Sequence, residues 1–137
     1  PEFLPINHGF DLYFGIPYSN DMDRTVAGTW REPFWDPKIE DWNVPLMRNT
    51  DIIERPADQH TITKRFTEEA IRFIREHSDT PFFVYLAHSM PHVPLFVSDK
   101  FEGQTERGLY GDVIAEIDWS VGQVLDADED AGKRGSS

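Results

Sequence analysis

An unbroken apolar run, Phe82 to Ala87, constrains the fold of this chain more than any other feature. The run is too short for a typical globular helix and is rich in aromatic and branched side chains. It therefore predicts a strand buried on both faces, as in a parallel sheet. It ends at a polar loop, His88 to Pro94, with two histidines and two prolines. Ligands of open α/β sheets bind beyond the carboxyl ends of the strands, so this loop is the first candidate for a functional site.

Of the two histidines in the loop, His92 is the stronger candidate. Pro91 and Pro94 fix their own φ and favour extended backbone in the residues before them, so the backbone sets the position of His92. An imidazole there can orient an anion, donate a proton to a leaving group or bind a metal, and the alternative is a histidine that caps a loop carbonyl. Because the prolines prevent a helix, the four-residue spacing to His88 indicates no metal pair, and His88 is predicted to be structural.

Helical periods lie on both sides of the run. A first helix is predicted to begin at Thr61 or Thr63, which can cap it, and to continue through Ser78. A second is predicted over 110–125, with Asp112, Glu116 and Asp118 mostly outside its apolar stripe. That stripe consists of Tyr110, Val113, Ile114, Ile117, Val121, Val124 and Leu125. With a short strand predicted near Phe10 to Ile16, the order is strand, long loop, helix, strand, loop, helix, which is an α/β pattern.

Two segments show no sustained period. Residues 20–59 contain four prolines and three of the four tryptophans, and they predict a long irregular insertion pinned by its aromatics, with a short hairpin around Val44–Ile53. Loops of this length in compact domains are usually functional or inserted. Residues 126–137 hold four acids and no apolar run, and they predict a polar, acidic, solvated tail. We therefore expect one domain over 1–125.

The charge of the chain argues against nucleic acids and anionic membranes as partners. The chain has 13 basic and 25 acidic residues, a net charge of −12, whereas nucleic acids and anionic membrane surfaces require a basic face. No apolar run of transmembrane length and no signal peptide is visible, so no membrane partner is expected. The absence of cysteine excludes a disulfide, a thiolate zinc site and a cysteine nucleophile within these residues. The acidic clusters lack the calcium-loop pattern of alternating oxygen ligands, and no metal site is predicted.

Three stretches together resemble one family. PFFVYLAHSMPHVPL, followed by FEGQTERGLYGDVIAEIDWSVGQVL, resembles the central part of type I sulfatases, especially the arylsulfatase A-like group of the alkaline-phosphatase-like superfamily. HGFDLYFGIPYSND, from His8 to Asp21, is similar to the stretch that follows the Gly-Lys-Trp-His motif of these enzymes. TITKRFTEEAIRFIREHSDTPFF is similar to the helix before the family's histidine strand. The resemblance covers residues 3–125 in the family's order.

The resemblance implies hydrolysis of sulfate esters, either small molecules or sulfated glycans. Family members use a formylglycine nucleophile and a calcium ion that binds the sulfate. His92 matches the family's His-x-Pro histidine, whose expected roles are sulfate binding and assistance to the departing alcohol. Ser19 matches a serine that reaches the substrate. The family is commonly periplasmic, extracellular or lysosomal.

The departures from the family pattern are equally informative. The 137 residues contain no formylglycine motif, no Asp-Asp metal pair, no Gly-Lys-Trp-His and no Asp-Asn-Gly. We expect residues 1–125 to be a partial sulfatase catalytic domain that binds no calcium itself, is inactive alone, and self-associates or exposes an apolar patch. Two alternatives stay open: a related phosphate or phosphonate monoester hydrolase, and a non-catalytic binding module derived from a sulfatase.

Overall fold

The architecture is mixed α/β, with two helices and one small antiparallel sheet. The computed structural model describes residues 2–26 and 37–135, with side chains up to Gly132. In chain order the elements are a 3-10 helix Pro5–Asn7, strand β1 Phe14–Gly15, a 3-10 helix Ile39–Asp41, strands β2 Leu46–Arg48 and β3 Asp51–Glu54, a 3-10 helix Gln59–Thr61, helix α1 Ile62–Glu76 and helix α2 Gly108–Gly135. Among the described residues, neither α-helix combines the length and apolarity that a membrane span requires.

The sheet has the order β1-β2-β3, and both neighbouring pairs are antiparallel. The predicted hairpin around Val44–Ile53 is confirmed as β2 and β3, which turn at Asn49 with a φ of 53°. Asparagine is one of the few residues that adopt this left-handed conformation readily. The strand predicted near Phe10 to Ile16 is reduced to the two residues of β1. Trp30 and Trp35, predicted to pin the long segment, lie outside the described residues, and Trp42 is fully buried.

Helix α1 is close to its prediction, but its start is built differently. Neither predicted threonine caps it, because the Thr61 hydroxyl donates to the carbonyl of Asp58 at 2.9 Å. The Asp58 carboxylate instead accepts the backbone N–H of His60 at 3.1 Å and caps the preceding 3-10 turn. Two ion pairs hold the sheet against α1: Arg48 with Glu69, a bidentate pair at 2.6 and 2.8 Å, and Arg65 with Glu54 at 2.5 Å. These contacts fix α1 across one side of the sheet.

Helix α2 continues ten residues beyond its predicted end. The prediction of a solvated tail is wrong for 126–135, which are helical. Ala127 and Ala131 are 2% and 4% exposed and pack against Ile74 of α1. No proline interrupts the segment, and two small residues four apart allow close approach of the helices. The acidic residues between them are exposed to solvent, so no charge is buried where α2 packs against α1.

The face of α2 that packs inward matches the predicted stripe only in part: Val113 is buried and Ile117 and Val124 are partly buried, but two carboxylates are buried as well. Asp112 and Glu116, expected outside, are 3% and 1% exposed, because each accepts backbone N–H groups. Asp112 accepts from Gly103 at 2.9 Å and Thr105 at 2.8 Å, and Glu116 accepts from Ser98 at 3.2 Å. Burial opposes ionisation of Asp112, but these N–H donors outweigh it and lower its pKa. The exposed large apolar side chains of the predicted stripe are Tyr110, Ile114, Val121 and Leu125.

The predicted interior strand over 81–87 is wrong for this chain. Within the described residues the segment belongs to no strand and pairs with none of β1, β2 and β3. Its side chains alternate as on an extended backbone, but Phe83 and Tyr85 are 71% and 73% exposed. Phe82 is 37% exposed, whereas Val84 and Leu86 are half-buried against the helices and the sheet. A buried strand requires neighbours, and the described residues provide none.

Candidate functional site

His92 lies in the polar loop that follows this extended segment, as the order of elements predicts. Its backbone N–H donates to the carbonyl of Ser89 at 3.3 Å, and its ring Nδ1 contacts the carbonyl of Val93 at 2.6 Å. A carbonyl only accepts, so Nδ1 carries the proton in this contact. The side chain is exposed, and its Nε2 has no hydrogen-bond partner among the described residues. The ring can therefore accept through Nε2 when neutral and donate through it when protonated.

The ends of the loop are buried although its tip is not. Met90 and Phe96 pack in a core cluster with Trp42 and Val113 of α2, and Pro94 is fully buried. His60 secures the following stretch, because its Nδ1 lies 2.9 Å from the carbonyl of Val97 and its ring meets Phe96 edge-on at 5.0 Å. The loop is consequently held at both sides of His92 by packing, while the imidazole itself faces solvent.

Ser19 lies in a turn of the N-terminal segment, where its carbonyl accepts the N–H of Met22 at 3.1 Å. Its hydroxyl makes no hydrogen bond within the described part of the chain, and the residue is half-buried. The neighbouring Tyr18 donates to Asp23 at 2.5 Å, and Arg55 binds the same carboxylate at 2.8 Å. Burial and the Asp23 carboxylate raise the pKa of Tyr18 to about 12, so it remains a neutral donor. This local network fixes the turn that carries Ser19.

A buried amide pair connects the two candidate segments. The Asn20 side chain, next to Ser19, donates to the carbonyl of Pro94 at 3.1 Å and to Gln59 Oε1 at 3.0 Å. Gln59 Nε2 donates back to the carbonyl of Asn20 at 3.1 Å. Both side chains are 2% exposed. The bridge places the residue after Ser19 in direct contact with a residue two positions after His92.

Sequence reasoning missed this bridge. Asn20 and Gln59 lie at the two ends of the segment predicted as irregular, where no period of two or 3.6 distinguishes a buried polar residue from a solvated one. One feature of the sequence could have indicated it: Asn20 directly follows Ser19, the residue that matches the family's substrate-contacting serine. The structure provides no such contact for the two candidate side chains themselves.

His88, predicted to be structural, closes a buried chain of hydroxyl groups. Thr67 donates to the carbonyl of Thr63 at 2.7 Å, and its oxygen lies 2.5 Å from the Ser120 hydroxyl. Ser120 must then donate to Thr67, which leaves its oxygen to accept from His88 Nε2 at 3.3 Å. Burial lowers the pKa of His88, in agreement with a neutral ring. The chain joins α1, α2 and the base of the loop that carries His92.

The remaining histidines have local backbone contacts. His8 Nε2 lies 3.1 Å from the carbonyl of Glu2, and His77 Nδ1 lies 2.8 Å from the carbonyl of Phe73. Across residues 2–26 and 37–135, no group of three or more metal-ligating side chains is close enough to hold an ion. The described residues therefore do not fit the calcium site that the resemblance implies for the family.

Comparison with known proteins gives the family directly. The sulfatase family model matches residues 5–136. Human arylsulfatase D is 28% identical over an alignment that covers 97% of this chain and 31% of the relative. Mouse arylsulfatase G is 35% identical, covering 91% and 27%, and human steryl-sulfatase is 43% identical, covering 61% and 14%. The chain thus spans less than a third of the length of each of these relatives.

The fold agrees with this assignment. A solved structure from work on glycosaminoglycan metabolism by Bacteroides thetaiotaomicron superposes with a TM-score of 0.56 at 19% identity. The superposition covers 88% of this chain and 26% of the other. Likeness at this identity concerns the fold alone, whereas the family match rests on sequence over nearly all of the chain. The chain belongs to the sulfatase family.

Proposed function

We propose that these residues form part of an arylsulfatase-like sulfuric ester hydrolase, in which His92 binds the sulfate and assists the leaving alcohol and Ser19 contacts the substrate. The observation that supports this most strongly is the bridge from Asn20 to the carbonyl of Pro94. Two segments matched independently to substrate-contacting parts of the family are joined by a fully buried hydrogen bond. A solvated loop without such a bond would hold its histidine far less firmly.

The chemistry of His92 follows from its hydrogen bonds. The carbonyl of Val93 retains the proton on Nδ1, so gain and loss of a proton occur at Nε2. As an imidazolium, the ring can donate Nε2–H to a sulfate oxygen or pass that proton to the alcohol oxygen as its bond to sulfur breaks. A positive charge there also offsets the negative charge of the ester in a chain that carries −12. In sulfatases a formylglycine and a calcium ion complete such a site.

Activity is best tested by exchange into a sulfatase that is complete. The stretch of mouse arylsulfatase G aligned with this chain can be replaced by these residues, and turnover of an aryl sulfate and an aryl phosphate measured. We expect sulfate turnover, and His92→Ala should lower kcat by about 10²–10⁴, the range for loss of a general acid. His77→Ala is the matched control, because that histidine is exposed and its ring contacts Phe73 of α1. An unchanged rate in His92→Ala would remove this histidine from the mechanism, and preferential phosphate turnover would favour the phosphatase alternative.

The isolated 137 residues should not turn over an aryl sulfate. A catalytic constellation acts as a unit, and these residues contain no motif for the nucleophile. Turnover above background by the purified chain would contradict the proposal that it supplies only part of a site.

A further inference from the structure

Asn20 holds both candidate segments, one through its main chain and the other through its side chain. Its carbonyl accepts Gln59 Nε2–H at 3.1 Å, inside the turn that begins at Ser19. Its side-chain amide donates to the carbonyl of Pro94 at 3.1 Å and to Gln59 Oε1 at 3.0 Å. Asn20 and Gln59 are 2% exposed and Pro94 is fully buried, so the described residues themselves exclude water from these bonds. Because breaking either side-chain bond leaves a buried acceptor unsatisfied, the arrangement favours a single geometry.

The carbonyl of Pro94 is separated by one soft torsion from the carbonyl that His92 contacts. The Val93–Pro94 peptide group is planar, and the proline ring fixes φ of Pro94. The torsion that remains between the two carbonyl groups is ψ of Pro94. Because Asn20 binds the second carbonyl, it restrains this torsion and thereby the direction of the first.

The Val93 carbonyl determines which ring nitrogen of His92 carries the proton. It lies 2.6 Å from Nδ1, and since a carbonyl only accepts, the contact requires Nδ1–H. In a neutral imidazole the other nitrogen then has the lone pair, and here that nitrogen is Nε2 on an exposed side chain. The hydrogen bond made by one ring nitrogen therefore selects the atom that the ring offers to a ligand.

We propose that Asn20 is a positioning residue that sets the tautomer and the orientation of the His92 ring. It acts through the carbonyls of Pro94 and Val93 and touches no substrate itself. Without its amide, ψ of Pro94 is no longer restrained, the Val93 carbonyl can turn away from Nδ1, and the ring can carry its proton on Nε2 instead.

The selected tautomer is the one that proton donation by His92 leaves behind. As the ester breaks, the electron pair of the S–O bond moves to the alcohol oxygen, and this oxygen takes the proton from Nε2 of the imidazolium. The ring is then neutral, and its remaining proton is on Nδ1, where the Val93 carbonyl accepts it. This kinetic consequence rests on the proposed role of His92, whereas the effect of Asn20 on the tautomer does not.

The tautomer is measured on the purified chain with ¹⁵N-labelled histidine, from the shifts of the two ring nitrogens at about pH 8.5, well above the ordinary titration range of histidine. His92→Ala assigns the signal. We expect Nδ1–H to predominate, and Asn20→Ala should lower the ratio of Nδ1–H to Nε2–H roughly fivefold or more, as for the loss of one hydrogen bond. Gln59→Ala is the matched control, because it removes the other half of the buried pair but not the donor to Pro94, and it should leave the ratio nearly unchanged.

The kinetic part is measured in the arylsulfatase G hybrid with two aryl sulfates whose alcohols differ in acidity. A misdirected acid slows most the substrate with the poorer leaving group, which depends most on protonation. Asn20→Ala should therefore lower kcat for phenyl sulfate by up to about 10²-fold, the cost of a misplaced catalytic group, and kcat for nitrophenyl sulfate much less. Gln59→Ala should change both rates alike.

Four results would overturn the proposal. They are an Nε2–H ring in the unmodified chain, an unchanged ratio in Asn20→Ala, an equal change of the ratio in Gln59→Ala, and equal losses of kcat for the two aryl sulfates in Asn20→Ala. An unchanged turnover in His92→Ala would instead contradict the proposed function, and the ratio would still decide the role of Asn20. If Asn20→Ala does not fold by circular dichroism, Asn20→Leu, which fills a similar volume without a donor, is measured in its place.

Discussion

Replacement of Asn20 tests the connection on which the candidate site depends. Asn20→Ala removes an amide that donates to the carbonyl of Pro94 and to Gln59 Oε1. Both acceptors are then left without this donor at a buried position, since Asn20 and Gln59 are only 2% exposed. A buried acceptor left unsatisfied costs about 1–3 kcal/mol, so two should lower the free energy of unfolding by roughly 2–6 kcal/mol. A domain of this size has only about 5–15 kcal/mol available, so the loss should be readily measured by urea unfolding.

Asn20→Asp should be more destabilising at neutral pH than Asn20→Ala. The introduced carboxylate would present oxygen to two oxygen acceptors in a buried position, which raises its pKa in the folded state. When folding raises the pKa of an acid, the folded protein is most stable at low pH and loses stability as the pH rises through the folded pKa. Lowering the pH from 7 toward 4 should therefore recover part of the stability of Asn20→Asp. Gln104→Glu adds the same charge at an exposed site and is the matched control.

A double-mutant cycle of Asn20→Ala and Gln59→Ala completes the measurement. The two side chains share hydrogen bonds, so the double variant should lose about 1–2 kcal/mol less than the sum of the single losses. A loss below about 0.5 kcal/mol in Asn20→Ala, the range of ordinary surface substitutions, would refute the bridge, and additivity in the cycle would refute the pairing.

Two further predictions concern the helices and the buried histidine. Ala131→Asp should lower the free energy of unfolding by about 2–4 kcal/mol, because it places a charge against Ile74. Asp128→Ala, at an exposed position, is the control and should change it little. The loss of the helical circular dichroism signal on urea titration measures both. Burial lowers the pKa of His88 in the folded protein below its ordinary value of 6.5. The unfolded chain therefore takes up a proton first as the pH falls, so the free energy of unfolding is highest above pH 6.5 and decreases as the pH falls through the lower folded pKa. His88→Gln keeps a donor for Ser120 and should flatten this slope between pH 6.5 and 5, while His77→Gln should not; an unaltered slope in His88→Gln would assign it to other groups.

Local periodicity was sufficient to predict α1 and the first part of α2. Phe66, Ala70 and Ile74 recur at spacings of four, and α1 buries all three. The end of α2 was missed because Ala127 and Ala131 are neither strongly apolar nor bulky. Small residues become packing residues only when a second helix approaches, and that approach is a property of the tertiary structure.

The candidate site was predictable only in part for a related reason. The position of His92 after the apolar run followed from the order of the elements. Its anchoring through Asn20 and Pro94 joins residues 74 positions apart, and contacts at this separation leave no periodic trace in a single sequence. A buried asparagine and a solvated one look alike until the partner is known.

The two failed predictions about apolar surfaces have one physical cause. Hydrophobic periodicity identifies a surface that is stable when covered, and it does so whether or not the cover belongs to the same chain. Phe83 and Tyr85 of the apolar run, and Tyr110 and Val121 of α2, satisfy the pattern, yet these four side chains are exposed in this structure. The packed face of α2 combines apolar residues such as Val113 and Ala127 with Ser120 and two buried carboxylates, which accept hydrogen bonds from specific donors. Apolar patterning therefore located residues that can be buried, such as Val113, while hydrogen bonds at defined distances determined that Asp112 and Glu116 are buried with them.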